Sequence, residues 1–143
     1  MNKNGHGLWN FLVVLTVIVC LLAFVLHSKN WTKVDDQGLK IISGFYYQNI
    51  DFSELDSVEL LERIPPMERL NGFSAFEKEK GIFREFKDSL TDKKVYVFVD
   101  NLDHSKIKLV HHDSLKLYVN LKDSLDTEQL YQTLSGKLET PPD

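Results

Sequence analysis

The chain has 143 residues, a formal charge of −4, 43 % hydrophobic residues and a single cysteine. One cysteine excludes an intramolecular disulfide framework. The mildly acidic balance gives no electrostatic basis for binding nucleic acid or coating an anionic membrane, and the length suits one ordinary domain.

Residues 1–7 read as a short leader carrying Lys3. The next nineteen, Leu8 to Leu26, include fourteen Leu, Ile, Val or Phe, with no charged side chain between Lys3 and Lys29. Such a segment would be about 28 Å long as a helix, close to the roughly 30 Å hydrocarbon thickness of a bilayer. Its apparent insertion free energy is roughly −4 to −8 kcal/mol, which Asn10 and Thr16 do not reverse. The run is too long for a cleaved signal and leaves through Ala23, Phe24, Val25, Leu26, His27 and Ser28 without a small-x-small site. It also lacks the polar face of a soluble helix. The segment is therefore predicted to span a membrane once, making the lipid bilayer the first expected partner. Trp9 and Trp31 bracket it as interfacial aromatics. Lys29, Lys33 and Lys40 follow the span and Lys3 with the terminal amine precedes it, a margin of one charge that leans toward a cytoplasmic C-terminal side of the cell membrane. Cys20 lies within the span, and Asn30-Trp31-Thr32 is a formal glycosylation sequon whose position beside the membrane argues against use.

Residues 27–37 read as a linker and 38–138 as the domain. From His27 onward there are 16 basic and 21 acidic residues, a formal charge of −5. Leu39 to Ile42 and Phe45 to Ile50 read as two strands joined at Ser43-Gly44. Asp51 to Ser57 reads as a helical turn, and Val58 to Arg63 as a strand stopped by Pro65-Pro66. Gly81 to Lys87 is extended, and Val95 to Val99 is a continuous apolar run suited to burial on both faces. Ile107 and Leu109 alternate with Lys106 and Lys108. Leu115, Leu117, Val119 and Leu121 alternate with Lys116, Tyr118 and Asn120, again as a half-buried strand. The short polar connections Asp100 to Ser105 and His112 to Ser114 predict consecutive hairpins, hence an antiparallel meander of about seven strands.

One amphipathic helix ends the domain. Asp126 is its expected N-cap, with Gln129 completing a capping box, Leu125 and Leu130 a hydrophobic staple, and Leu130, Leu134 and Leu138 an apolar stripe. Gly136 is expected to close it, with residues 139–143 as a disordered tail. The fold class is thus mainly β with a C-terminal α-helix, preceded by one transmembrane helix.

The run Ser53-Glu54-Leu55-Asp56-Ser57-Val58-Glu59-Leu60, then Pro65, Arg69-Leu70-Asn71-Gly72-Phe73, Gly81 with Phe83, and the Asp126 to Leu134 helix resembles the bacterial pleckstrin-homology-like (PH-like) domains found beside membrane spans. The resemblance covers about Leu39 to Leu138. It implies a seven-stranded bent sheet or barrel closed by the C-terminal helix, and a module with no catalysis and no cofactor. Ser74 to Lys78 depart from a glycine-richer loop in that family.

His104, His111 and His112 beside Asp103 and Asp113 have the residue types of a metal site. Neighbours on a strand point to opposite faces, however, so no metal site is expected. Ser, His and Asp lack a nucleophile elbow, and the paired carboxylates Asp51 with Glu54 and Asp35 with Asp36 suit caps and turns. The best candidates for binding are Arg63, Arg69, Asn71, Gly72 and Arg84. The three arginines are the only ones in the chain, and together they would form a small anion or carboxylate site; Asn-Gly also suits a plain tight turn. Two function classes remain. One is a non-catalytic, membrane-tethered binding or scaffolding module with a protein partner and no specific small-molecule or nucleic-acid ligand. The other is a structural subunit of a membrane complex whose span makes the main interaction.

Overall fold

The computed structural model describes residues 4–88 and 93–140, so residues 1–3 of the expected leader and 141–143 of the expected tail lie outside it. Helix α1 runs over Asn4–Ser28, longer at both ends than the apolar core that predicted it. The leader is therefore helical from Asn4 onward. Helix α1 is long and apolar enough to cross a membrane, with mean hydropathy 2.8 over its best window and none of that window buried against the rest of the chain. Its two hydroxyls are satisfied by its own backbone: Thr16 Oγ1 donates to the Leu12 carbonyl at 2.8 Å and Ser28 Oγ to Val25 at 2.7 Å. Such back-bonding removes the cost of a hydroxyl in apolar surroundings.

Nine strands follow among the described residues: β1 (Trp31–Val34), β2 (Gly38–Ser43), β3 (Tyr46–Asp51), β4 (Leu55–Leu61), β5 (Met67–Ala75), β6 (Lys78–Glu85), β7 (Val95–Val99), β8 (Lys106–His111) and β9 (Leu115–Val119). The two beyond the expected seven are β1, inside the supposed linker, and β5, which contains the supposed Asn71-Gly72 turn. Neither has a buried residue, so neither sequence carries the apolar/polar alternation of a half-buried strand. The expected turn over Asp51 to Ser57 is a 3-10 turn of only Phe52–Glu54, and β4 starts immediately after it.

Strands β1, β2 and β3 form one antiparallel sheet; the other six form a second, in the order β4-β8-β9-β7-β6-β5. The meander expected for the last three strands is not what forms. Strand β9 enters between β7 and β8, antiparallel to β8 but parallel to β7, with Val95 opposite Lys116 and Phe98 opposite Val119. The continuous run Val95–Val99 suits this position, because β7 is covered on both faces, Phe98 entering one core and Val95, Val97 and Val99 the other.

The edge strands of the second sheet are consecutive in sequence, joined by Glu62 to Pro66. A flat six-stranded sheet would hold its edges about 24 Å apart. The six Cα steps from Leu61 to Met67 span at most about 21 Å, so the sheet must curl. Curling encloses a core on each face. One gathers Leu39, Ile41 and Ile50 of the small sheet with Leu55, Phe98, Ile107, Leu109, Leu117, Val119, Leu130 and Leu134. The other gathers Phe83, Val95, Val97, Val99 and Tyr118, covered by Leu61, Ile64, Met67 and Leu102. This second core is why Lys106, Tyr118 and Asn120, expected on a solvated face, are all buried.

The C-terminal helix α2 (Ser124–Glu139) packs on β4 and β8 through Thr127, Leu130 and Leu134. Its N-cap is Asp123, whose carboxylate accepts from Leu125 N–H at 2.8 Å, and not Asp126, which lies in the first turn. Thr127 accounts for the earlier start: its hydroxyl accepts from Leu121 N–H at 3.0 Å and donates to Asp123 O, tying the first turn to the end of the preceding strand. Gly136 does not close the helix. Its carbonyl accepts from Thr140 N–H, and Gly136 has no positive φ.

Candidate functional site

A dense polar construction sits where α1 meets the β domain. The last carbonyls of a helix have no intrahelical partner and carry its negative dipole end. Here they are met by cations from β6: Lys78 Nζ donates to the Ser28 carbonyl, and Lys80 Nζ lies 3.4 Å from that of His27. The tip of the β2–β3 hairpin supplies a third contact, Gly44 N–H to Leu26 O at 3.2 Å. A Cβ on Gly44 would lie 2.6 Å from the His27 ring, so glycine is what lets the helix end approach so closely. The His27 ring in turn meets Phe45 edge-on at 4.7 Å and Phe73 at 5.8 Å.

Two residues beyond the helix, Asn30 is buried and fully committed. Its side-chain amide donates to Phe98 O at 2.6 Å and Asn120 O at 2.8 Å, and its side-chain oxygen accepts from Ser43 Oγ at 2.6 Å. Its backbone N–H donates to Asp100 Oδ2. This engagement puts the amide of the Asn30-Trp31-Thr32 triplet out of reach of a modifying enzyme. Asp100 also forms an ion pair with Lys80 at 2.8 Å, the two side chains being 0 % and 1 % exposed. Burial pulls the Lys80 ammonium below its ordinary value, and the Asp100 carboxylate opposes that shift. Asn120 completes the set by accepting from the backbone of Asp100 and Asn101 and donating to Asn101 O and Ser105 O. Strands β2, β6, β7 and β9 are thereby fastened to the helix end by one buried network, which can fix the orientation of the domain relative to α1.

The residues singled out in the sequence are dispersed by comparison. Arg84 is a cross-strand partner of Glu68, with Nη2 2.7 Å from Oε2. Arg69 lies one register position away, exposed and opposite Phe83. Asn71 follows a β-bulge and accepts from Tyr46 Oη at 3.2 Å; Gly72 faces Gly81 across the β5–β6 ladder. Arg63 is in the β4–β5 connection, lining a cavity of about 310 Å³ with Glu62, Leu102, Asp103 and Ser105. Its charge adds to burial in lowering the ammonium of Lys106, which donates to the carbonyls of Glu62 and Leu102. The structure thus brings Arg69, Asn71, Gly72 and Arg84 onto one hairpin at a sheet edge, and Arg63 onto the connection leading into it.

The histidines depart from expectation. Strand β8 ends at His111, and His112 takes a left-handed φ of 50°, so the two rings converge instead of opposing, their Nδ1 atoms 2.7 Å apart. His112 Nε2 also lies 2.7 Å from Glu54 Oε2. Among the described residues, no group of three or more His, Cys, Asp or Glu is placed to hold a metal ion. Burial, then the neighbouring His112, lowers the His111 pKa, against the pull of Asp56 and Glu54. The unfolded chain therefore takes up this proton first as pH falls through the ordinary histidine value of 6.5. Folding stability is expected to drop as pH falls through 6.5, and His111→Gln to flatten that slope in chemical-denaturation curves; an unchanged slope would assign it elsewhere.

A cavity of about 320 Å³ among the described residues is lined by Leu60, Asp103, His104, Ser105, Ser124, Thr127 and Glu128. That is near the lower limit for a small-molecule site, and none of the shifted groups Lys80, Lys106, His111 and Tyr118 lines it. Glu85 lines a separate hollow with Lys87, Lys93, Lys94 and Lys116. Burial raises its carboxyl, but the ammoniums of Lys116 and Lys87 outweigh that and hold it below its usual value. Compared with family models, curated proteins and solved structures, the chain matches none of them.

Proposed function

We propose that the protein is a single-pass membrane protein of the cell membrane whose β domain is a non-catalytic, PH-like binding or scaffolding module for a protein partner. One observation carries the reading: an apolar helix of membrane length has its best window unburied among the described residues, while its final turn is fixed to the domain by a buried network. Leaving that much apolar surface in water would be strongly unfavourable, and a bilayer removes it. The PH-like reading rests on the quoted sequence run and on a curled sheet packed against a terminal helix; the parallel β7–β9 pair departs from a simple meander.

The protein partner is assigned to the β5 edge. Strand β5 is nine residues long, has an unpaired side, and carries Arg69, Asn71 and Gly72. Edge strands of this kind accept an added strand, with main-chain bonds giving affinity and side chains specificity. Two measurements test the proposal. A reporter fused at Asp143 is expected to read cytoplasmic, and one active only outside the membrane would overturn the orientation. With residues 8–26 replaced by an unrelated span, a cross-linked partner should still be recovered, and Arg69→Ala should diminish it. Loss on swapping the span alone would favour a structural subunit held by its helix.

A further inference from the structure

We propose that the domain rests on the same bilayer, through Phe45 and Phe76 at the tips of two hairpins that flank the end of α1. This rests on the reading of α1 as a membrane span. Phe45 is 77 % exposed and follows Gly44, which has φ +61°, in a two-residue turn; its ring touches His27 in the last turn of α1. Phe76 is wholly exposed in the two-residue turn between β5 and β6, with a left-handed φ of 54°. Two residues on, Lys78 holds the Ser28 carbonyl. Both tips are therefore pinned within a few residues of the point where the helix leaves the domain. A phenylalanine in a left-handed turn exposed to water is doubly unfavourable, since glycine or asparagine would relieve the backbone and a polar side chain the hydration. An interfacial lipid layer removes the second penalty. Interfacial segments bury Phe at the boundary of headgroups and acyl chains, and Lys29, exposed and stacked over Trp31 at 4.2 Å, suits the same depth. The acidic character of the domain is no obstacle, because the contact is apolar and local.

The test uses the full chain in phosphatidylcholine nanodiscs, with Cys20→Ser and single spin-labelled cysteines at positions 17, 45, 76 and 86. Position 17 reports on the span. Phe86 is also exposed but lies eight residues beyond Lys78, at the far end of β6, about 26 Å away along an extended strand. Labels at 45 and 76 are expected to lose collisions with a water-soluble nickel chelate and gain them with oxygen, whereas 86 keeps full access to the chelate. If 17 is in lipid while 45 and 76 behave like 86, the tips do not touch the bilayer and the proposal fails alone. If 17 is in water, the span fails with it. Shielding of 45 and 76 in native membranes but not in pure lipid would assign the tips to a protein neighbour and overturn the lipid contact. Phe45→Trp and Phe76→Trp in a Trp9→Phe, Trp31→Phe background repeat the measurement with an aromatic at each tip. Their fluorescence should be quenched by brominated lipid, and quenching by iodide instead would overturn the proposal.

Discussion

Replacing Lys80 with methionine is expected to destabilise the folded domain by about 3–5 kcal/mol, the cost of leaving a buried carboxylate without its counter-ion. Asp100 would retain the Asn30 N–H, but no water can reach it where both side chains are at most 1 % exposed. The reverse change, Asp100→Asn, should be milder at high pH. It keeps an acceptor for Asn30 and strands the ammonium of Lys80, which burial already disposes to give up its proton. In that variant the folded pKa of Lys80 falls further below its unfolded value, so the unfolded chain holds the proton longer and stability rises as pH increases toward the ordinary lysine range. Lys80→Met with Asp100→Asn removes both charges and should recover part of the loss, the signature of direct coupling. Urea unfolding of the full chain in detergent would read all three. A loss of less than about 1 kcal/mol for Lys80→Met would mean that the pair is hydrated in solution.

The network containing this pair could not be read from the sequence, and the reason is physical. Asn30, Lys80, Asp100 and Asn120 come from four separate segments, and each has a bland local setting: after a helix, within an alternating Lys-Glu-Lys run, and at the ends of two strands. Only tertiary pairing brings them together. By contrast, α1 was legible because composition alone decides it, with no reliance on partners. Helix α2 was also legible, but its start was misplaced because Asp123 and Asp126 are both competent caps and Thr127 decides between them. The alternation of Lys106 with Ile107 and of Asn120 with Val119 was real, yet it wrongly implied a wet face. Period two identifies a strand; it does not say whether a connection such as Leu61 to Met67 folds over the second side.

Asn71-Gly72 shows the same limit and yields the second large effect. Asn-Gly favours hairpin turns, but here Gly72 lies within β5 with φ +123°, because the strand passes unusually close to its neighbour: a Cβ at Gly72 would lie 2.2 Å from the Lys80 carbonyl oxygen. Gly81, facing it, is equally crowded, its Cβ position lying 2.1 Å from Asn71 O. Gly72→Ala therefore combines a backbone conformation that an L-residue resists with a clash against main chain that no rotamer can relieve, for a loss of about 2–5 kcal/mol. Asn71→Ala should change stability by less than about 0.5 kcal/mol, since its side chain is exposed and makes one long bond to Tyr46. The pair of variants separates the packing at Gly72 from the exposed side chain of Asn71. The clash also pushes on Lys80 itself, so Gly72→Ala and Lys80→Met should be less than additive when combined. Strict additivity would show that the β5–β6 crossing and the buried ion pair are independent, and that an edge strand bound by a partner could not transmit strain to the junction with α1.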